Sequence, residues 1–109
     1  MKLPNGERAI IDARKLQDYC LNADHPRGRN KARVFASVGI RQAQAEELWE
    51  AILAATVNSD ARLGSATPHG QRYIVDFDLV RQGRTVRIRS TWIVRIGEDF
   101  PRLTSCYVL

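Results

Sequence analysis

The stretch "RYIVDFDLVRQGRTVRIRSTWIVRI" (residues 72–96) decides the fold. On its first limb Tyr73, Val75, Phe77 and Leu79 alternate with other residues. On its second limb Val86, Ile88, Ser90, Trp92, Val94 and Ile96 do the same. A period of two is the mark of a half-buried strand. Gln82-Gly83 between the limbs reads as the turn of a hairpin. Pairing across that turn sets Asp78 opposite Arg87, Asp76 opposite Arg89, Ile74 opposite Thr91 and Arg72 opposite Ile93. Both aspartates then meet arginines on one face, and such cross-strand pairs contribute roughly 0.2–1 kcal/mol each. The other face, with Tyr73, Phe77, Ile88 and Trp92, is apolar and needs a cover.

The cover is expected from upstream. Over residues 42–57, Ala45, Leu48, Trp49, Ile52, Leu53 and Thr56 recur at helical spacing, with Glu46, Glu47 and Glu50 on or near the other side. Trp49 and Trp92 both read as core. A second, shorter helix is expected at 31–38, with Asn30 as its N-cap, Val34 and Phe35 as apolar anchors and Gly39 as its stop. A first helix is expected at about 13–21, capped by Asp12, with Leu16, Tyr19 and Cys20 on one face. "LPNGERAII" reads as a turn at Asn5-Gly6 followed by an extended piece. "NSDARLGSATPHG" is a polar connection with room for a short strand. "GEDFPR" is a turn or loop, and "LTSCYVL" is a final strand. Helices first and strands afterwards make an α+β fold: about three N-terminal helices on one face of an antiparallel meander of three to four strands.

The chain has 109 residues, enough for a single domain over 1–109 with one core. Its formal net charge is +5, and arginine outnumbers lysine 14 to 3. That balance favours an acidic partner. Arginine also binds phosphate through two parallel hydrogen bonds, which lysine does not. Between Asp24 and Glu46 no acid occurs, while Arg27, Arg29, Lys31, Arg33 and Arg41 do. Between Asp78 and Glu98 again no acid occurs, while Arg81, Arg84, Arg87, Arg89 and Arg95 do. Two basic segments so far apart in sequence can converge only through the fold. Cys20 and Cys106 form no CxxC and have no metal spacing with His25 or His69, so buried thiols in a reducing compartment are expected. The N-terminus offers no long apolar run, and a cytoplasmic protein away from membranes is expected.

Several chemistries have no footing here. There is no glycine-rich phosphate loop and no serine elbow. No cluster of ligands is spaced for a metal, and no cofactor is expected. What remains is "ADHPRGRNKARVFAS" (23–37), where a histidine and several cations lead into a helix. A phosphate could bind at that helix start with help from Arg27, Arg29, Lys31 and Arg33. Cleaving RNA without a metal needs proton transfer and cations that stabilise the charge on phosphorus, and a histidine with lysine and arginine supplies both. The open sheet face would add Arg72, Arg87, Arg89, Thr91 and Arg95. Arg72 and Arg95 have no aspartate partner in this register.

The segments "KLPNGERAIID", "YCLNADHPRGRNKARVFAS", "GQRYIVDFD" and "RSTWIVRIGEDFPRLTSCYVL" resemble an uncharacterised bacterial domain family. Its members occur as small free-standing proteins, and similar domains end filamentous haemagglutinin-like polymorphic toxins. "HPRGRNKARVF" and "GEDFPRL" are the most specific pieces. The order of elements is also similar to the ribonuclease-toxin fold shared by barnase, the EndoU nucleases, tRNA-cleaving colicins and RelE, a likeness of fold alone. The resemblance implies a small metal-independent ribonuclease, the toxin of a toxin–antitoxin or toxin–immunity pair, with RNA and an acidic antitoxin or immunity protein as partners. On that analogy His25 and Lys31 stand at the cleft edge, with Arg89, Thr91 and Arg95 on the sheet floor. The alternatives are a non-catalytic module that binds nucleic acid or protein, and a structural or immunity-type protein.

Overall fold

The structure, a computed structural model, describes residues 1–109. Strands β2 (Gly70–Arg81) and β3 (Arg84–Arg95) form the long hairpin. They pair over twelve positions, from Gly70 opposite Arg95 to Arg81 opposite Arg84, with the expected partners in register. Gln82 and Gly83 both have positive φ, 53° and 73°. That mirror-image turn follows the right-handed twist of the strands, and glycine takes its conformation without steric cost. The polar segment before the hairpin contains β1 (Ala61–Thr67), and the C-terminal segment forms β4 (Arg102–Val108). The sheet is an antiparallel meander in the order β1-β2-β3-β4.

Three helical segments precede it: a π-helical segment Lys15–Cys20, α1 (Arg29–Ser37) and α2 (Ala45–Asn58). Alternate sheet residues Val75, Phe77, Val86, Ile88 and Trp92 share one hydrophobic cluster with Leu16 and Cys20, with Phe35 of α1, and with Leu48 and Ile52 of α2. Ser90 lies among them because it has a polar task. Its Oγ accepts the indole N–H of Trp92 at 2.9 Å and donates to the Val75 carbonyl at 2.7 Å. The largest core side chain is thereby buried with its polar atom satisfied.

The helices depart from expectation in detail. Trp49 is 37% exposed, because the buried stripe of α2 runs through Ala45, Leu48, Ile52, Ala55 and Thr56 and leaves Trp49 at its margin. Val34 is 45% exposed, and the buried residues of α1 are Ala32 and Phe35. The helix begins at Arg29, so Asn30 lies inside it and caps nothing. The N–H groups of its approach are met instead by His25. Gly39 does end the helix, at φ 83°. Its N–H donates to Ala36 and the Ile40 N–H donates to Phe35, which satisfies two terminal carbonyls and seats Ile40 beside Phe35 in the core. In the first segment the i→i+5 bond from Leu21 to Leu16 widens the turn. Leu16, Cys20 and Leu21 are buried together, and Tyr19 is turned aside, half-buried. Asp12 accepts the Arg14 N–H at 3.0 Å, as its expected capping role requires. Gln44 returns its side chain to the Arg41 N–H at 2.9 Å, so α2 is entered without a Ser, Thr or Asp cap.

The N-terminal strand piece is pinned by the segment "GEDFPRL". The Ile10 N–H donates to Pro101 and the Leu103 N–H to Ile10, each at 2.9 Å. Arg8 meets Asp99 at 2.9 Å. Arg102 binds Glu98 through two bonds of 2.9 Å and lies over the Phe100 ring. No helix is long and apolar enough to cross a membrane.

Ser90→Ala removes the acceptor of the Trp92 indole N–H without changing the shape of the core much. It is expected to cost about 1–3 kcal/mol, measured by urea unfolding, because a buried donor loses its partner.

Candidate functional site

A cavity of about 850 Å³ opens between the π-helical segment, the loop into α1 and the sheet. The loop and α1 contribute His25, Arg27 and Lys31. The sheet contributes Arg72, Thr91, Thr104, Ser105 and Tyr107. The first segment and its approach contribute Asp12, Arg14, Lys15, Asp18 and Tyr19. Five cations thus face two carboxylates, and one of these, Asp12, is already bound by Arg14 at 3.0 Å. The cavity is a place for an anion.

Lys31 is its most closely held cation. The half-buried ammonium donates to Tyr19 Oη at 3.3 Å and to Ser105 Oγ at 3.1 Å. It stands 5.2 Å from the centre of the Tyr19 ring and 5.3 Å from that of Tyr107. Two ring faces and two hydroxyls fix the charge in position while leaving it positive. Tyr19 also receives Lys15 at 5.8 Å and meets the His25 ring edge to face at 5.0 Å.

His25 has a structural duty that its sequence neighbourhood did not announce. Its Nδ1 accepts the backbone N–H groups of Arg27 at 3.0 Å and Gly28 at 3.1 Å. An acceptor at Nδ1 leaves the hydrogen of the neutral ring on Nε2, so the imidazole offers a donor there. Gly28 is required by close approach, since a Cβ on it would lie 2.1 Å from the Tyr19 carbonyl oxygen. This contact draws the start of α1, and with it His25 and Lys31, against the segment that carries Tyr19.

The sheet floor owes its composition to a bulge. Trp92 pairs with Leu103 and Thr91 pairs with Ser105, so Thr104 is an extra residue in β4. Thr91 and Thr104 share a hydroxyl–hydroxyl bond of 2.6 Å. With the period broken, Thr104, Ser105 and Tyr107 all line the cavity, while Leu103 and Cys106 stay in the core.

Of the ten residues expected at a site, the cavity gathers His25, Arg27, Lys31, Arg72 and Thr91. Arg29 and Arg33 are exposed on α1, and Arg95 is exposed at the end of β3. Arg87 pairs with Asp78 at 3.1 Å. Arg89 binds Asp76 through two bonds of 2.8 and 2.9 Å. That carboxylate pushes the Arg89 pKa further up and neutralises its charge on the sheet face. Tyr19, Ser105 and Tyr107 were missed. The sequence places Tyr19 only on a helix face with Leu16 and Cys20, and the two β4 residues carry no signal until the bulge is known.

A family model matches residues 2–109. The chain belongs to the DUF6883 family, a domain of unknown function. No curated protein and no solved structure matches it. In this DUF6883 chain the two most specific sequence pieces have separate tasks. "HPRGRNKARVF" supplies a ring, a close-packed glycine, the central ammonium and the core residue Phe35, whereas "GEDFPRL" clamps the N-terminal strand piece to the sheet.

Two substitutions test this geometry. Gly28→Ala forces α1 away from Tyr19 and is expected to cost about 1–3 kcal/mol in urea unfolding, the usual range for overpacking. Asp76 is held below the usual carboxylate range, chiefly by its bonds from Arg89, with Arg62 and Arg87 adding attraction. A folded value below the unfolded one gives stability that is complete above about pH 4 and is lost as pH falls through the lowered value. Asp76→Asn is therefore expected to lower Tm by about 5 °C at pH 7. Thermal melts should find that difference shrinking steadily below pH 4.

Proposed function

We propose that this cavity holds the phosphodiester of an RNA strand, and that the DUF6883 chain is a small metal-independent ribonuclease of toxin type. The observation that carries the reading is the meeting of His25, Lys31 and Thr91 in one cation-rich cavity, although they come from a loop, a helix and a sheet. In such cleavage the 2′-oxygen attacks phosphorus and the bond to the 5′-oxygen breaks. The products are a 2′,3′-cyclic phosphate and a 5′-hydroxyl. One proton leaves the 2′-hydroxyl and one is gained by the 5′-oxygen, so neither water nor a redox partner is consumed. The phosphorane carries more negative charge than the diester, and a fixed ammonium close to it favours the transition state over the ground state. Lys31 is that group in this reading. The Nε2–H of His25 donates to a phosphoryl oxygen, and Arg27 and Arg72 hold the strand. Thr91 and its neighbours form the polar floor.

The wider role follows the same electrostatics. An acidic antitoxin or immunity protein covering Arg27, Lys31 and Arg72 would close the cavity. Such a toxin would act in the cytoplasm, where its RNA is.

One observation favours a second reading, RNA binding without cleavage. A base at Nε2 needs the other tautomer of His25, and that tautomer would displace the Arg27 and Gly28 N–H groups from Nδ1.

The test is incubation with total RNA in EDTA, scored for cyclic-phosphate ends. Lys31→Met keeps the stem between the two rings and removes the charge, and product formation is expected to fall by about 1,000-fold. His25→Asn keeps an acceptor for the two N–H groups and removes Nε2–H, and a fall of about 100-fold is expected. Wild-type protein that binds RNA with steep salt dependence yet forms no product establishes the second reading. Equal product from all three proteins removes both residues from the chemistry.

A further inference from the structure

The proposed cleavage needs a proton at the departing 5′-oxygen, and the groups assigned so far are poorly suited to give it. His25 accepts two backbone N–H groups at Nδ1, so its ring is neutral and loss of the Nε2 hydrogen would leave an anion. Lys31 has to stay charged to stabilise the phosphorane. Tyr19 Oη takes one of its hydrogens at 3.3 Å and Ser105 Oγ another at 3.1 Å, which leaves one for a phosphoryl oxygen. Thr91 and Thr104 share a bond of 2.6 Å, and the Thr104 hydroxyl also faces the Thr91 carbonyl at 3.0 Å. Both are aliphatic alcohols, which part with a proton far less readily than a phenol does.

We infer that Tyr19 is the general acid of this site and gives its phenolic proton to the 5′-oxygen. The assignment deepens the ribonuclease reading and rests on it. Tyr19 lines the cavity and is half-buried there. Its oxygen accepts a hydrogen bond from Lys31, and its own hydrogen has no acceptor in the protein, so that hydrogen is free for a bound strand. The ring is held from two sides. The Lys31 ammonium stands 5.2 Å from its centre, and the His25 ring meets it at 5.0 Å with the planes 61° apart. The close approach of Gly28 to the Tyr19 carbonyl fixes the backbone behind it. An acid held in this way meets the leaving oxygen without first searching for it.

The step balances as follows. The 2′-oxygen bonds to phosphorus, and its proton passes to solvent water. The bond from phosphorus to the 5′-oxygen breaks, the electron pair stays on that oxygen, and the Tyr19 O–H protonates it. The phenolate left behind takes a proton back from water before the next turnover, so no proton is gained or lost overall. Lys31 serves both charges that develop. One N–H faces the phosphoryl oxygen, and the N–H already on Tyr19 Oη becomes a charge-assisted bond as the phenol gives up its proton. A donor in place before the reaction stabilises the phenolate without reorganisation, which favours Tyr19 over the hydroxyls of the floor.

The test gives the full chain two RNA oligonucleotides of one sequence in EDTA. The second carries sulfur in place of the 5′-oxygen at the linkage that the wild type cuts. A thiolate leaves without being protonated, so a missing acid slows only the oxygen substrate. Tyr19→Phe keeps the ring beside Lys31 and His25 and removes the hydroxyl, and thermal melts compare its fold with that of the wild type. Its rate on the oxygen substrate is expected to fall by about 100-fold, and its loss on the sulfur substrate to shrink to about threefold. Equal losses on both substrates in a folded variant make Tyr19 a positioning residue for Lys31 and overturn the assignment. So does an undiminished rate on the oxygen substrate. Both outcomes leave the ribonuclease reading standing, because the wild type still cuts. A wild type inert on both oligonucleotides overturns that reading and the assignment with it.

Discussion

Twelve residue pairs join β2 to β3, and their alternation divides the hairpin into two unlike faces. Val75, Phe77, Val86, Ile88 and Trp92 stand on one face, and Asp76, Asp78, Arg87, Arg89 and Thr91 stand on the other. A face of the first kind is stable only when water is removed from it. The helical segments supply Leu16, Phe35, Leu48 and Ile52 for that purpose. The Trp92–Ser90–Val75 hydrogen bonds show how strictly the burial is kept, since even the indole N–H at the centre has a partner.

The cavity is the second consequence of the same division. Its helical wall comes from residues next to buried ones. Tyr19 precedes Cys20, and Lys31 lies four residues before Phe35. Its floor comes from the polar side of the sheet, enlarged by the Thr104 bulge. Three local irregularities make the two meet: the wide turn of the π-helical segment, the bare Cα of Gly28 against Tyr19, and the extra residue in β4. Each changes the direction of a side chain and leaves the core intact, and π-turns and bulges are often found where a fold aims groups at a ligand.

Charge is distributed by the same logic. On the sheet face the pairing across the hairpin already sets Asp78 opposite Arg87 and Asp76 opposite Arg89. In three dimensions Arg89 is bound twice by Asp76, and Arg87 by Asp78. The cations left to face the cavity come largely from the helical side, where Lys31 is held by aromatic faces and hydroxyls instead of a carboxylate. An ammonium so held keeps its full attraction for a phosphate, whereas a guanidinium bonded twice to an aspartate does not.

The amino-acid sequence alone determined the hairpin, its register, its turn, the final strand and the existence of three helical segments. Those depend on periods of two and of about 3.6, and on turn chemistry that acts within a few residues. It also singled out His25, Lys31 and Thr91 by chemical type. The tertiary structure alone decided that these three line one cavity, that Arg89 does not, that Tyr19, Ser105 and Tyr107 do, and that Trp49 stays partly in water. The reason is that a bulge, a widened helical turn or a close backbone contact shifts the phase of every later side chain. Such shifts are selected by packing between elements far apart in the chain, which no local spacing records.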